Sequence, residues 1–95
     1  MSLDELRDQI EALDQTLLRI LNERMELSIE IGKLKRREGR EIYDPKREEN
    51  LLAALREQNE GPMVDDALEA IYRAVLEASR EIQQSSPPGS GATPE

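Results

Sequence analysis

The 95-residue sequence contains no Cys, His, Trp or Phe, and each absence excludes a class of function. Without Cys there is no disulfide, thiolate metal site or cysteine nucleophile. Without His the chain lacks the commonest metal ligand and the usual general base. Two Tyr are its only aromatic residues, too few for a surface that stacks nucleic-acid bases. We therefore expect no bound metal and no nucleic-acid partner.

Positive charge and long apolar runs are also scarce. The chain has 13 Lys and Arg against 21 Asp and Glu, a formal net charge of −8, whereas nucleic-acid-binding faces and membrane-surface helices are basic. No apolar run approaches the roughly 20 residues of a transmembrane helix, and Asp4 and Glu5 stand where a signal peptide would be apolar. We expect a cytoplasmic protein without a membrane partner, in which any anionic ligand occupies a local basic pocket.

The apolar pattern predicts an all-α fold that begins with one long helix. Ser2 and Glu5 fit a capping box at its start. From Leu3 to about Arg37 there is no Pro, and apolar residues recur at steps of three and four. Gly39 then provides a helix C-terminal stop.

Two shorter helices follow. Asp44 and Pro45 fit the N-cap and first position of a second helix. This helix is predicted to end at the segment Asn59-Glu60-Gly61-Pro62. A third helix is predicted from residues 64–66 to about 84. Residues 85–95 are rich in Pro, Gly and Ser, which is typical of a linker or disordered tail. We therefore predict one helical domain at residues 1–84 and a tail or interdomain linker at 85–95.

The length of the first helix predicts an intertwined homodimer. At about 1.5 Å per residue it would be about 50 Å long, whereas a compact domain of this size is about 30 Å across. Two short helices cannot cover the whole apolar stripe of a helix this long, and a second copy of the chain is the simplest candidate to cover the rest. The alternative is a first helix that bends or breaks near Gly32.

Arg24 interrupts the apolar stripe between Ile20 and Leu27. It could lay its stem on the surface and keep its charge in water, or fix the register of a helix pair. Lys35 adds a third interpretation, because it lies three helical turns further on, within roughly 20° around the helix and about 16 Å along its axis. Two long cationic side chains leaning toward each other could bind a small anion between them.

Other polar residues stand beside apolar faces. Asp44, Arg47 and Glu48 precede the apolar face of the second helix by one turn, although they also fit a solvated first turn, in which the helix dipole favours Glu48. Ser79 and Gln83 continue the apolar line of the third helix and would need partners if buried. Taken alone, Ser79 fits a structural role better.

Basic residues at the two ends of the first helix have different expected environments. Arg7 lies about 25 Å from Arg24 along that helix and points about 100° away. It cannot share a small ligand with Arg24 of its own chain unless the helix bends, but antiparallel pairing would bring it to the partner's site. The cations Arg36, Arg37 and Arg40 are predicted to be solvated surface.

Four motifs in this order resemble the all-helical chorismate mutase family, the bacterial type with an interlocked dimer. They are L-R-D-x-I-x-x-L-D at residues 6–14, L-x-x-R-x-x-L-x-x-x-I-G-K-x-K at 21–35, Y-D-P-x-R-E at 43–48 and S-x-x-x-Q at 79–83. Each motif is weak alone, but together they cover nearly all of residues 3–84. The resemblance implies rearrangement of chorismate to prephenate, in aromatic amino-acid biosynthesis.

The resemblance also implies a role for each polar residue. Arg24 matches the arginine that binds a substrate carboxylate, and Arg7 matches the arginine supplied by the other subunit. The ether oxygen would be hydrogen-bonded by the residues that match Lys35 and Gln83. The ring hydroxyl would be held by Glu48 and the backbone at Asp44, with Arg47 and Ser79 as supporting polar groups near the carboxylates. The sequence departs from the family at Arg80, where an apolar pocket residue is usual.

The residue chemistry agrees with this activity. A pericyclic rearrangement is unimolecular and needs no nucleophile, metal or redox cofactor, so no cofactor is expected. Catalysis would come from holding the reactive conformer and from donors directed at the charge that develops on the ether oxygen. Arg suits carboxylates because it forms bidentate, charge-assisted hydrogen bonds.

Two alternatives remain at this stage. An isochorismate–pyruvate lyase would share the fold, although the pair Lys35 and Gln83 favours a mutase. A non-catalytic dimerisation or regulatory module is the other alternative, because some relatives join a mutase domain through such a linker to 3-deoxy-D-arabino-heptulosonate-7-phosphate synthase. A fused synthase domain is then a possible covalent partner.

Overall fold

The computed structural model describes residues 1–85 and shows three α-helices in this range. They are α1 (Leu3–Arg37), α2 (Pro45–Gln58) and α3 (Asp65–Ser85), and these 85 residues contain no strand. The predicted all-α architecture of one long and two shorter helices is confirmed. Most of the predicted tail, 85–95, lies outside the described residues.

The helix ends follow the capping signals of the sequence. At the start of α1 the Ser2 Oγ accepts from the Glu5 N–H at 3.1 Å, and the Glu5 carboxylate accepts from the Ser2 N–H at 2.8 Å. Gly39, just past the end of α1, has a φ of 68°, a left-handed conformation that favours glycine. At the start of α2 the Asp44 carboxylate accepts from the Arg47 N–H at 3.2 Å.

The first helix continues without a break through Gly32, so a break at that residue is excluded. Gly32 is buried where α1 meets α3. A Cβ placed there would lie 3.0 Å from the Cα, Cβ and carbonyl oxygen of Gln83. The glycine therefore allows a close approach of two helices, and it positions Gln83 against α1.

The third helix packs against both α1 and α2. Its Leu76 and the Leu52 of α2 are the two buried large apolar residues in the described range. Its last turn carries no basic residue of its own, but the Arg36 guanidinium of α1 donates to the Gln83 carbonyl oxygen. A cation at this end complements the helix dipole. The prediction that Arg36 is solvated surface was wrong, because α3 packs over it.

The described chain is thin and elongated. Its principal extents are 53 × 36 × 15 Å and its radius of gyration is 16.7 Å, against about 12 Å for a compact domain of this length. Every residue from 1 to 20 is exposed. Exposed apolar side chains there include Leu13 at 68% and Leu17 at 53%. The two shorter helices do not cover the stripe of α1, as the sequence predicts.

Within residues 1–85, no helix combines the length and apolar character needed to cross a bilayer.

Candidate active site

A cavity of about 250 Å³ lies among the C-terminal half of α1, the start of α2 and the end of α3. Seven of the eight residues singled out in the sequence line it: Arg24, Lys35, Asp44, Arg47, Glu48, Ser79 and Gln83. The eighth, Arg7, does not line this cavity and is exposed near the other end of α1. The fold thus gathers polar side chains that lie far apart in the sequence.

The charge of the cavity is opposite to that of the chain. Its lining has four cations, which are Arg24, Lys35, Arg47 and Arg80, and two carboxylates, Asp44 and Glu48. The net charge of the lining is therefore +2, in a chain whose formal net charge is −8. Such a pocket is complementary to a small dianion.

Two of these cations make no contact with an acceptor in the described part of the chain. Among residues 1–85 no hydrogen bond or ion pair engages the guanidinium of Arg24 or of Arg47, although the chain carries many carboxylates. Arg24 is half-buried in the cavity wall. A buried arginine that served only to fix helix register would need a carboxylate or carbonyl. This geometry favours the anion-binding interpretation of Arg24.

Lys35 also lines the cavity, three helical turns after Arg24 on α1. Its Nζ donates to the Ile42 carbonyl oxygen at 2.9 Å, and the side chain is half-buried. An ammonium group has three donors, so the contact with Ile42 leaves further N–H groups for a ligand. The contact also fixes the loop between α1 and α2 against α1.

A buried hydrogen-bonded chain connects α1 with α3. The hydroxyls of Ser28 and Ser79 are 2.6 Å apart, and the Ser79 Oγ is 3.2 Å from the Gln83 Nε2. The Gln83 Oε1 is buried and finds no partner within residues 1–85. Rotating the amide by 180° would let Ser79 donate to Oε1 and would place N–H groups at the unpartnered end. The serines can therefore support Gln83 as a donor toward a ligand.

Glu48 has a partner that its sequence motif does not reveal. The Arg80 Nη1 lies 2.6 Å from both oxygens of the Glu48 carboxylate. The Arg80 guanidinium also lies 4.9 Å from the centre of the Tyr43 ring. The hydrogen bonds with Glu48 raise the pKa of Arg80 above its ordinary value, so the cation is retained. The departure at residue 80 thus places an ion pair in the cavity wall.

Sequence reasoning missed Ser28 as a site residue. Ser28 is buried, lines the cavity and contacts Ser79. The signal was available, because Ser28 lies one helical turn after Arg24 and two turns before Lys35 on the same face of α1.

Residues 1–85 contain no group of three or more acidic side chains arranged to hold a metal ion.

The fold and the cavity together define a class: an all-α protein with a cationic cavity at the junction of one long and two short helices. The sequence matches a family model described as chorismate mutase type II over residues 6–84. The chain therefore belongs to the chorismate mutase type II family.

Solved structures support this assignment over most of their length. A chorismate mutase (form II) from Thermus thermophilus superposes with a TM-score of 0.85 at 35% identity, over 86% of this chain and 93% of that one. A chorismate mutase from Helicobacter pylori in complex with prephenate has a TM-score of 0.82 at 32% identity, over 88% and 91% of the two chains.

Curated relatives are longer proteins. The T-protein of Enterobacter agglomerans is 42% identical over 78 residues, which is 81% of this chain and 21% of that protein. The bifunctional chorismate mutase/prephenate dehydratase of Aquifex aeolicus is 35% identical over 86 residues, which is 86% of this chain and 24% of that protein. The chain thus spans less than a quarter of the length of these two relatives.

Proposed function

We propose that this protein is a chorismate mutase, which converts chorismate to prephenate by a Claisen rearrangement. The observation that carries the proposal is the meeting of seven predicted polar residues, from three helices and a loop, in one cavity with a net charge of +2. Chorismate and prephenate each carry two carboxylates, so the charges match. The Helicobacter pylori relative, crystallised with prephenate, supports the same ligand.

In the proposed mechanism the arginines restrain the substrate. Arg24 binds one carboxylate in a bidentate manner, and Arg47, with Ser79 nearby, supports the second. Neither guanidinium has to break an ion pair within residues 1–85 before it binds the substrate, so little rearrangement of the site is needed. Holding the two reacting ends of the substrate together supplies the compact conformer that the rearrangement needs.

Lys35 and Gln83 act on the ether oxygen as its C–O bond breaks. Negative charge grows on that oxygen in the transition state, so donors fixed in advance stabilise the transition state more than the substrate. Lys35 supplies a charged donor and Gln83 a neutral one. The buried Ser28–Ser79 pair holds the Gln83 amide, which reduces the cost of orienting it.

Glu48 and the backbone at Asp44 bind the ring hydroxyl of the substrate. Glu48 lies in the first turn of α2, and Asp44 caps the same helix, so both are fixed by one local structure. The Glu48 carboxylate accepts a hydrogen bond from the hydroxyl, and no group in the site has to exchange a proton with the substrate. The proposed site residues are therefore Arg24, Lys35, Asp44, Arg47, Glu48, Ser79, Gln83 and the partner subunit's Arg7, without metal or cofactor.

The proposal includes a homodimer in which Arg7 completes the other subunit's site. The exposed stripe on residues 1–20 needs a cover, and Arg7 makes no ion pair within residues 1–85. Antiparallel pairing of two α1 helices would carry Arg7 of the partner subunit about 25 Å along the helix to the cavity. Sedimentation as a monomer at micromolar concentration would contradict this part of the proposal.

The proposed domain comprises residues 1–84, followed by a tail or linker at 85–95. A synthase or another enzyme joined beyond this segment stays a prediction, which the full-length reading frame tests. The curated relatives include bifunctional mutase/dehydratase proteins. The cytoplasmic location expected from the sequence is part of the same proposal.

A direct absorbance assay tests the activity. Purified protein should consume chorismate and form prephenate, whereas isochorismate should not yield pyruvate. Arg24→Ala provides the control for a contaminating enzyme. Prephenate should also raise the melting temperature of the wild type. Absence of both turnover and thermal stabilisation would favour a purely structural or dimerisation module.

A further inference from the structure

Arg80 occupies an unusual position among the charged residues of this chain. It lies on α3 directly after Ser79 and in the wall of the cavity. Its partner Glu48 is on α2 and the ring beneath it, Tyr43, is in the loop before α2. A single guanidinium thus joins three segments of the chain at the edge of the proposed site.

The ion pair is more enclosed than most of the others. The side chains of Arg80 and Glu48 are 29% and 18% exposed, compared with 64% and 60% for the pair Arg19 and Glu23 on α1. Screening by water is weaker for partly buried pairs. The Tyr43 ring constrains the other side of the guanidinium through a cation–π contact. Arg80 therefore has one well-defined orientation.

The geometry also leaves Glu48 able to bind a ligand. Arg80 approaches both carboxylate oxygens through one nitrogen, at 2.6 Å. A carboxylate has about four lone-pair directions, so two of them remain for a further donor. Without Arg80, Glu48 would regain rotamers and would place an uncompensated negative charge beside the site of a dianion.

We propose that Arg80 is a positioning residue that holds the Glu48 carboxylate as a fixed, charge-compensated acceptor for the substrate hydroxyl. The inference rests on the proposed function. It differs from a direct role, in which Arg80 would leave Glu48 and bind a substrate carboxylate itself. It differs also from a purely structural role, in which Arg80 would only join α3 to α2.

Arg80→Met, Arg80→Lys, Glu48→Gln and the double variant Arg80→Met/Glu48→Gln separate these roles. For each we would measure kcat and KM with chorismate, the dissociation constant of prephenate by calorimetry, and the melting temperature. Arg73→Met is the matched control, because Arg73 lies on the same helix and pairs with Glu69 and Glu49 outside the cavity.

Arg80→Met should raise KM and the prephenate dissociation constant about tenfold, the effect expected for losing support from a charge-assisted hydrogen bond. The change in kcat should be smaller, because the hydroxyl is present in the substrate, transition state and product. Arg80→Lys should recover most of the loss, and Arg73→Met should leave kcat, KM and the prephenate dissociation constant at their wild-type values. In the Glu48→Gln background, Arg80→Met should change either constant by less than about twofold.

Several results would overturn the inference. An equal loss in both backgrounds would show that Arg80 binds the ligand directly. A lower kcat with unchanged KM and a lower melting temperature would show a structural role. Unchanged constants in an active Arg80→Met protein would remove any role and leave the proposed function intact. Wild-type protein that binds prephenate without turnover would contradict only the mutase activity. Wild-type protein that neither binds prephenate nor converts chorismate would overturn both proposals.

Discussion

At the scale of single residues, the informative feature is which charges have partners and which do not. The guanidiniums of Arg24 and Arg47 face the cavity without an ion pair among residues 1–85, while Arg73 and Arg56 on the outer surface share Glu69. An acidic chain offers carboxylates in excess. That neither Arg24 nor Arg47 pairs with a carboxylate among residues 1–85 is therefore consistent with a role in binding an anionic ligand.

Lys35 should be the residue on which the chemical step depends most. We predict that Lys35→Met lowers kcat by about 10²–10³, the usual cost of removing one donor from a developing negative charge. The prephenate dissociation constant should change much less. Lys33→Met is the control, because Lys33 pairs with Glu30 and does not line the cavity. A Lys35→Met enzyme with near-normal kcat would contradict the assignment.

At the scale of the elements, α1 and α3 approach each other closely at Gly32. The position lacks a side chain because the backbone of Gln83 occupies the space that a Cβ would need. Four residues earlier on α1, Ser28 bonds to Ser79 of α3. The same contact that packs the two helices therefore also sets the position of the proposed donor Gln83.

Gly32→Ala tests this coupling. The added Cβ would lie 3.0 Å from three Gln83 atoms, so the helices must move apart. Overpacking typically costs about 1–3 kcal/mol, which outweighs the gain of up to about 1 kcal/mol from helix propensity. We expect a lower melting temperature together with a lower kcat, because Gln83 moves with α3. A raised melting temperature with normal kcat would show that the contact is not tight.

A second link between elements joins α2 to α3 through Glu69, which accepts from Arg73 on its own helix and Arg56 on α2. The hydrogen bond from Arg73 and the charges of both arginines lower the pKa of Glu69 below 4.5. Because the pKa of Glu69 is lower in the folded chain than in the unfolded chain, its ionised carboxylate stabilises the fold at pH values above the unfolded-state pKa. This stabilisation disappears as the pH falls through the folded-state pKa.

Glu69→Gln should therefore lower the melting temperature at pH 7. The difference from the wild type should shrink as the pH is lowered below about 4.5 and protonation removes the same charge from the wild type. Melting curves recorded by circular dichroism between about pH 3 and pH 7, at about 0.1 M salt, provide the measurement. Glu57→Gln is the control, because Glu57 makes no ion pair within residues 1–85. A difference that grows on acidification would contradict the role of Glu69.

At the scale of the whole molecule, a slab only 15 Å thick cannot enclose a core. Leu52 and Leu76 are its two buried large apolar residues, whereas fifteen large apolar side chains are exposed over residues 1–85. Exposed apolar area of this extent is typical of surfaces that associate with a partner. The proposed dimer would cover it and bring Arg7 to the second cavity.

Subunit mixing tests the shared site. Arg7→Ala and Arg24→Ala should each be nearly inactive, since each removes one arginine from both proposed sites of a homodimer. After unfolding and refolding together, about half of the dimers would be mixed, and one of their two sites would contain neither substitution. About a quarter of wild-type activity should then return. No recovery, with mixed dimers confirmed by mass spectrometry, would contradict the crossed-subunit arrangement.

The sequence alone determined the local structure and much of the site. Capping residues and apolar periodicity act over three or four residues, so the helix bounds could be read directly from Ser2, Asp44 and Gly39. The motif spacing also identified seven residues that the fold brings together. The misplaced residue was Arg36, whose surroundings depend on where α3 ends.

Only the tertiary structure decided which polar groups meet. The pairing of Ser28 with Ser79 spans 51 positions, and that of Arg80 with Glu48 spans 32. Such contacts depend on helix crossing and loop length, which no local pattern encodes. The same holds for Gly32, where the sequence left a break open and the structure shows a continuous helix packed against Gln83. Interactions between residues close in the sequence determined the helices, and the packing of the helices determined which charged and polar groups became partners.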